Sequence, residues 1–481
     1  MNAKDLRQLK PMFLAFLLEF AGCFPRKDTR AHLSEYLEGQ LSDLSRKSVE
    51  PIALKVGVPV RTLQEFLSFL RWDEDSVRQR LHQIVARDHA GSNTIGLIDE
   101  TSVVKKGDKT PGVQRQHCGA VGKQENCVVT VHLGFSVADF HCMLDSELFL
   151  PESWSEDRDR CQEAGIPDTM VYRPKSDIAL ELYERACASG IRFEWLTFDE
   201  WYGVKPQFLR ALEQKGQKFV GEVHKNYYAW LKAPEITTRP APGQRSASPK
   251  PRLKAGSPKP RPVGRLLKTP ALRRQEWERW RIKDGEKGPV VWEVKHTLIY
   301  PKNEQGLPDR AYHLIIARNV LRPKEIKYFV SNAPIATPLG RLLWVAFSRW
   351  RIERCFEDQK GEVGLDHYEG RRYLGLKRHL ILSSLSFLFL AKAHQQLRKK
   401  NTGTDCLPSS HCVGGHDPVL VVARVGQSTV VGAGHVGNSI RSTAQRQSPQ
   451  EPLEENSSPT QTTGDQTHQN QTLPSNAYLA L

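Results

Sequence analysis

The chain has 481 residues, with 69 Lys and Arg against 54 Asp and Glu, a formal net charge of +15. At 39% hydrophobic residues it can bury a sizeable core, which excludes global disorder. The positive surplus points to a polyanionic partner, nucleic acid or an anionic membrane surface, the plain alternative being a solvated basic surface. Nine cysteines are an odd number and no two are spaced Cys-x-x-Cys, so neither a zinc ribbon nor a dense disulfide framework is expected. A reducing cytoplasm fits that usage. The longest apolar run, 380–391, is broken by Ser383, Ser384 and Ser386 and is shorter than the ~20 residues of a membrane span.

Residues 1–90 read as helical. The run 12–18 follows Lys4, Arg7 and Lys10 like a signal peptide, but Glu19 ends it and no small-residue cleavage site follows, so a buried helix is expected. Residues 53–63, with Gly57 at the turn, have helix-turn-helix rhythm, read either as a DNA-binding hairpin or as plain packing. At residue 93 the pattern changes. Strands are predicted at 94–98, 128–135 and 142–150, then a helix from Ser176 to the stop at Gly190. A fourth strand, 193–198, a helix, 208–215, and a fifth strand, 218–223, complete the order βββαβαβ. Asp99 and Asp199 follow the first and fourth strands directly.

Residues 234–265 are rich in Pro, Arg, Lys and Ser, with Ser-Pro-Lys-Pro-Arg at 248–252 and again at 257–261. An extended, mobile basic loop is expected, either touching phosphates or simply linking. Strand-like runs return at 290–300, 312–317 and 327–330, and helical pattern runs from 338 to 400. The last 81 residues contain no Lys, Phe or Trp, and read as a disordered tail that a reading-frame change near codon 400 would produce. The domains expected are 1–90 helical, 91–233 the first part of a catalytic core, 234–335 a basic loop and β-rich insertion, 336–400 closing helices, and 401–481 the tail.

Two acids at the ends of neighbouring strands suit a divalent-metal site, because hard cations take carboxylate oxygens and keep water or phosphate oxygens as further ligands. Two metals ~3.5–4 Å apart call for a third carboxylate. At about 100° per residue, Arg349, Glu353 and Lys360 share one helix face, an acid flanked by two cations suited to phosphates. Phe356, on the same face, is expected to pack beneath the substrate or against it. An ordinary exposed helix with charge pairs is the bland alternative. His117 and His132 lack ligand spacing and read as structural.

Here the chain resembles a family. Residues 97–101 (Leu-Ile-Asp-Glu-Thr), 115–119 (Arg-Gln-His-Cys-Gly) with Gly122, Lys123, Asn126 and Cys127, 197–203 (Thr-Phe-Asp-Glu-Trp-Tyr-Gly), 349–353 with Lys360, and 364–371 carry the likeness. Together they are similar to the bacterial insertion-sequence transposases of the Asp-Asp-Glu class, over roughly residues 10–400. The resemblance implies a ribonuclease-H-like α/β fold, a mixed sheet flanked by helices, with a β-rich insertion before the glutamate helix and a helical N-terminal domain. It implies Asp99, Asp199 and Glu353 as the catalytic, metal-binding triad for two Mg²⁺ or Mn²⁺ ions. Arg349 and Lys360 would position phosphates, Lys105, Lys106 and Lys123 would touch the DNA backbone, and Trp201 and Tyr202 could stack an extruded base or simply pack in the core. The family's helix often carries a Tyr where this chain has Ala346. The implied function is metal-dependent cutting of double-stranded DNA at terminal inverted repeats and strand transfer to target DNA. It would act as a homodimer, in a bacterial cytoplasm with the nucleoid, and not at a membrane. Alternatives are a catalytically impaired remnant that only binds DNA and a repair or resolution nuclease on the same core.

Overall fold

The computed structural model describes residues 3–238, 250–285, 288–401 and 423–425. The described residues belong to one compact unit, and residues 402–422 and 426–481, nearly all of the predicted tail, lie outside them.

Five helices precede the sheet: Ala3–Leu18, Lys27–Leu41, Val49–Val56, Val60–Ser68 and Glu74–Asp88. Gly57 makes the third turn into the fourth, taking φ +77° and donating its N–H to the Ala53 carbonyl, a backbone shape that costs a side-chain-bearing residue. Asp73 caps the fifth helix by accepting from the Asp75 N–H. The first helix is buried on one side only, through Leu9, Phe13 and Phe16, while Leu14 and Leu18 are exposed. The expected buried helix thus packs through one face and leaves the other exposed.

These helices do not stand apart from the rest of the unit. They wrap the long helix Tyr373–Asn401, with Phe13 and Phe389 rings 5.2 Å apart and Tyr36 Oη 2.8 Å from His379 Nδ1. The serines that break its apolar run are buried partners: Gln40 donates to Ser383 Oγ and accepts from Ser386 Oγ, and Ser384 bonds the Leu380 carbonyl. Part of this helix is long and apolar enough to cross a membrane, but 78% of its apolar window is buried inside the protein.

The core sheet is built from β1 (Ile95–Val104), β2 (Gln114–Cys118), β3 (Lys123–Val137), β4 (Phe140–Leu148), β5 (Trp195–Phe198) and β6 (Phe219–Val223). Strand β3 runs antiparallel between β1 and β4, whereas β5 is parallel to β1 and β6 to β5. The order β4-β3-β1-β5-β6, with helices Lys175–Ala188 and Pro206–Gln214 crossing before β5 and β6, matches the predicted βββαβαβ series. It is the mixed sheet of the ribonuclease-H-like class. Strand β2 had no counterpart in the expected series; it forms a hairpin with β3.

The insertion extends this sheet rather than forming a separate one. Strand Ile326–Ser331 pairs antiparallel with β6, followed outward by Tyr312–Asn319, Gly288–Pro301 and Glu278–Gly285. Parts of the basic loop are ordered, contrary to expectation: Ile236–Thr237 pairs with Arg252–Leu253, and Trp230 Nε1 donates to the Pro258 carbonyl. Residues 239–249 lie outside the described residues. The expected 338–400 helical run is broken into Leu339–Ser348, Trp350–Asp358, a π-helical turn Gln359–Val363, an irregular stretch, and the long helix.

Candidate active site

The pairing register brings the first two acids together. Parallel pairing of β1 with β5 ends at Ile98↔Phe198, so Asp99 and Asp199 are the next residues on adjacent chains. Strands in a sheet lie ~4.8 Å apart. Beyond that point β5 stops, and Asp199 caps a short helix, Glu200–Gly203, accepting from the Trp201 and Tyr202 N–H groups. Strand β1 does not stop at Asp99 as predicted. It continues to Val104 along β3, because β3 is long enough to pair with all of it. Gly203 holds the short helix against β6: a Cβ there would lie 1.9 Å from the Glu222 carbonyl oxygen.

Glu353 arrives on the helix Trp350–Asp358, and Arg349 joins it to the sheet. One arm of Arg349 donates to Asp99 Oδ2 at 2.9 Å and the other to Glu353 Oε1 at 2.6 Å. Glu353 is 58% exposed, whereas Asp99 is largely enclosed. Burial pushes the Asp99 carboxyl up to about 7; Arg349 opposes this and the neighbouring Asp199 adds to it. Asp199 is also raised, by burial and then by Glu100, against the pull of the Tyr202 N–H. Among the described residues no three Asp, Glu, His or Cys side chains are close enough to hold a metal as they stand. The donors nevertheless fit a hard divalent cation: two adjacent, largely enclosed carboxylates offer oxygen ligands, with Glu353 joined to Asp99 through the Arg349 guanidinium.

The remaining predicted residues divide. Lys360, in the π-helical turn, donates to Thr101 Oγ1 on β1 at 2.8 Å, two residues past Asp99. Burial lowers its pKa, with Asp366 opposing. Lys105 is half-buried and donates to the Tyr368 carbonyl, so it is not a free backbone contact, whereas Lys106 and Lys123 are exposed. Tyr202 is fully buried with its hydroxyl donating to Glu100, which removes it as a base-stacking platform. Trp201 is half-buried with Lys205 Nζ 4.5 Å from its ring centre. Phe356 packs on His132, with ring centres 5.0 Å apart, and belongs to the core rather than to a substrate face. His132 is buried between the hydroxyls of Thr130 and Ser146, as a structural residue should be.

Sequence reasoning missed Glu100, which is held by Lys175 at 2.5 Å and by Tyr202. Its signal was its place directly after Asp99. It also missed a 220 Å³ cleft beside Glu353, where Trp292 and Phe329 of the insertion face Phe347 and Trp350, with Lys283 and Lys327 among its walls. No local pattern could announce that cleft, since its walls come from segments far apart in the chain.

A family model described as DDE superfamily endonuclease matches residues 19–289, more than half of the chain. The chain belongs to this superfamily of endonucleases. The matched segment contains Asp99 and Asp199 and ends before Glu353. The chain is also 30% identical over 192 residues to a protein from Microchaete diplosiphon named as a probable transposase for insertion sequence element IS701. That likeness covers 40% of this chain and 48% of the relative, so the chain spans about half the length of the relative it matches.

Proposed function

We propose that the chain is an insertion-sequence transposase that cuts double-stranded DNA at the ends of its element and joins the freed 3′ ends to target DNA. The observation that carries this reading is the register that sets Asp99 beside Asp199, with Glu353 one guanidinium away. Asp99, Asp199 and Glu353 would hold divalent cations, Mg²⁺ or Mn²⁺, two per site. Such ions supply an acidified water and a counter-charge for the leaving 3′-oxygen.

The chain's own groups then have distinct tasks. Asp99 and Asp199 ionise as positive charge arrives, since burial holds both pKa values up, with Asp199 and Glu100 adding to it at Asp99 and Glu100 at Asp199. Arg349, released from bridging the acids, turns its paired donors to the scissile phosphate, and Lys360 holds a neighbouring phosphate as a point charge. Lys106 and Lys123 contact the backbone. The aromatic cleft beside Glu353 or the half-buried ring of Trp201 can take a base lifted from the stack. Two copies acting together on two ends, in the cytoplasm with the nucleoid, complete the reading. A remnant that binds DNA without cutting it is favoured by one feature alone, the lysine-free sequence after residue 400.

The test is a Mg²⁺-dependent cleavage assay on DNA carrying the flanking element ends, with wild type and Glu353→Gln side by side. The expected outcome is end-specific cutting by wild type and a loss of at least ~100-fold in the variant, with DNA binding retained. Binding by both without cutting would favour the remnant. Cutting by both would remove Glu353 from the triad.

A further inference from the structure

The motif Arg115-Gln116-His117-Cys118-Gly119, with Gly122, has no part in the chemistry above. It forms the β2–β3 hairpin, a two-stranded ribbon closed by a turn in which Gly122 takes φ +65°. The ribbon has two unlike faces. On the inner face Cys118 is buried, its Sγ donating to Ser102 Oγ at 3.3 Å, and the Ala120 N–H reaches the same hydroxyl at 3.1 Å. Gln116 donates to the Cys127 carbonyl. Ser102 lies on β1 three residues past Asp99, so the ribbon is tied to the catalytic strand roughly 10 Å from that acid.

The outer face is free. The register pairs Arg115 with Asn126 and His117 with Gln124, which sets these side chains on one side of the ribbon. Arg115, His117 and Gln124 are exposed, and no residue among those described partners them. Asn126 is spent on the base of the ribbon, donating to the Lys105 and Gly107 carbonyls. The acid of the hairpin, Glu125, belongs to the inner register, so the outer face has positive charge and no carboxylate. A two-stranded ribbon fits the major groove of DNA, where Arg matches the guanine edge and Gln the adenine edge in bidentate fashion.

We propose that this ribbon lies in the major groove and reads base edges through Arg115, His117 and Gln124, within about one helical turn (~10 base pairs) of the cut. The partner is duplex DNA of preferred sequence, and the proposal rests on reading the chain as a DNA-cutting enzyme.

The experiment offers the full-length protein a pool of duplexes with a randomised centre and sequences the bound fraction. Wild type is compared with Arg115→Ala, Arg115→Lys, His117→Ala, Gln124→Ala and, as a phosphate contact, Lys106→Ala. Since the three outer residues have no partner, melting temperatures should match wild type. The expected result is that Arg115→Ala and Gln124→Ala each flatten the preference at one or two base pairs by about tenfold, while Lys106→Ala weakens all sequences alike. Arg115→Lys keeps the charge but loses the paired donors, and should flatten the same position. Unchanged preferences, or equal weakening on every sequence by the outer-face variants, would overturn the proposal and leave the DNA-cutting reading standing. Failure of wild type to bind any duplex would overturn both.

Discussion

At the scale of single residues, the site holds more negative charge than its surroundings neutralise. Asp99 and Asp199 are adjacent and enclosed, with Glu100 close by, and Arg349 is shared between Asp99 and Glu353. Sites arranged for chemistry often carry such strain at the expense of stability. Asp99→Asn should therefore raise the melting temperature in metal-free buffer at pH 8, equivalent to roughly 1–2 kcal/mol, while abolishing cleavage. Differential scanning calorimetry with added chelator measures the first effect and the cleavage assay the second. A lower melting temperature would mean that the Arg349 ion pair outweighs the repulsion. The same scale explains Tyr202: an aromatic three residues past Asp199 looks available in sequence, but its ring is in the core and its hydroxyl holds Glu100 in place.

At the scale of elements, the insertion is the least separable part of the chain. Its boundaries read as a domain of 234–335, yet Ile326–Ser331 satisfies the outer edge of β6 along Tyr328↔Val223 to Ser331↔Val220. Removing it would leave β6 with unpaired N–H and C=O groups, and such edges pair with other chains. A chain shortened by excising 234–335 is expected to aggregate rather than fold, which size-exclusion chromatography of the soluble fraction would reveal. A soluble monomer with native-like circular dichroism would contradict it. The glutamate helix shows a related dependence. Its face was legible from the spacing of Arg349 and Glu353, whereas Lys360 falls in a π-helical turn and reaches Thr101 through that local change of winding.

At the scale of the whole molecule, the N-terminal helices and the last described helix share one core, and buried neutral histidines sit in it. Burial holds His132 down to about 3 and His379 down to about 4, below the ordinary value near 6.5. The unfolded chain takes up protons that the folded chain refuses. Their contribution to stability is therefore complete above pH ~6.5 and is lost as pH falls toward 4. Each histidine should cost about 3 kcal/mol by the end of that range, so the melting temperature should drop steadily from pH 6.5 to 4. A flat profile across that window would mean that one or both rings become protonated in the folded protein. Replacing His379 by Gln should flatten part of the slope, though the Tyr36 contact would be altered.

Sequence by itself determined the alternation of strands and helices, since apolar periodicity and stop signals such as Gly190 act over a few residues. It also placed Asp99 and Asp199 at the ends of apolar runs and Glu353 on a helix face between two cations, while only the family resemblance joined the three as a set. The tertiary structure alone decided which of these are neighbours. The β1–β5 register joins the two aspartates, and Arg349 spans from the helix to the strand. It decided that β1 runs on past Asp99, because strand length depends on the partner β3 and not on the strand's own residues. It also decided that the N-terminal helices belong to the core, because Tyr36 and His379, 343 positions apart, meet only after the chain has folded. Contacts between distant segments carry no periodic signal, and so they become visible only when the chain is packed.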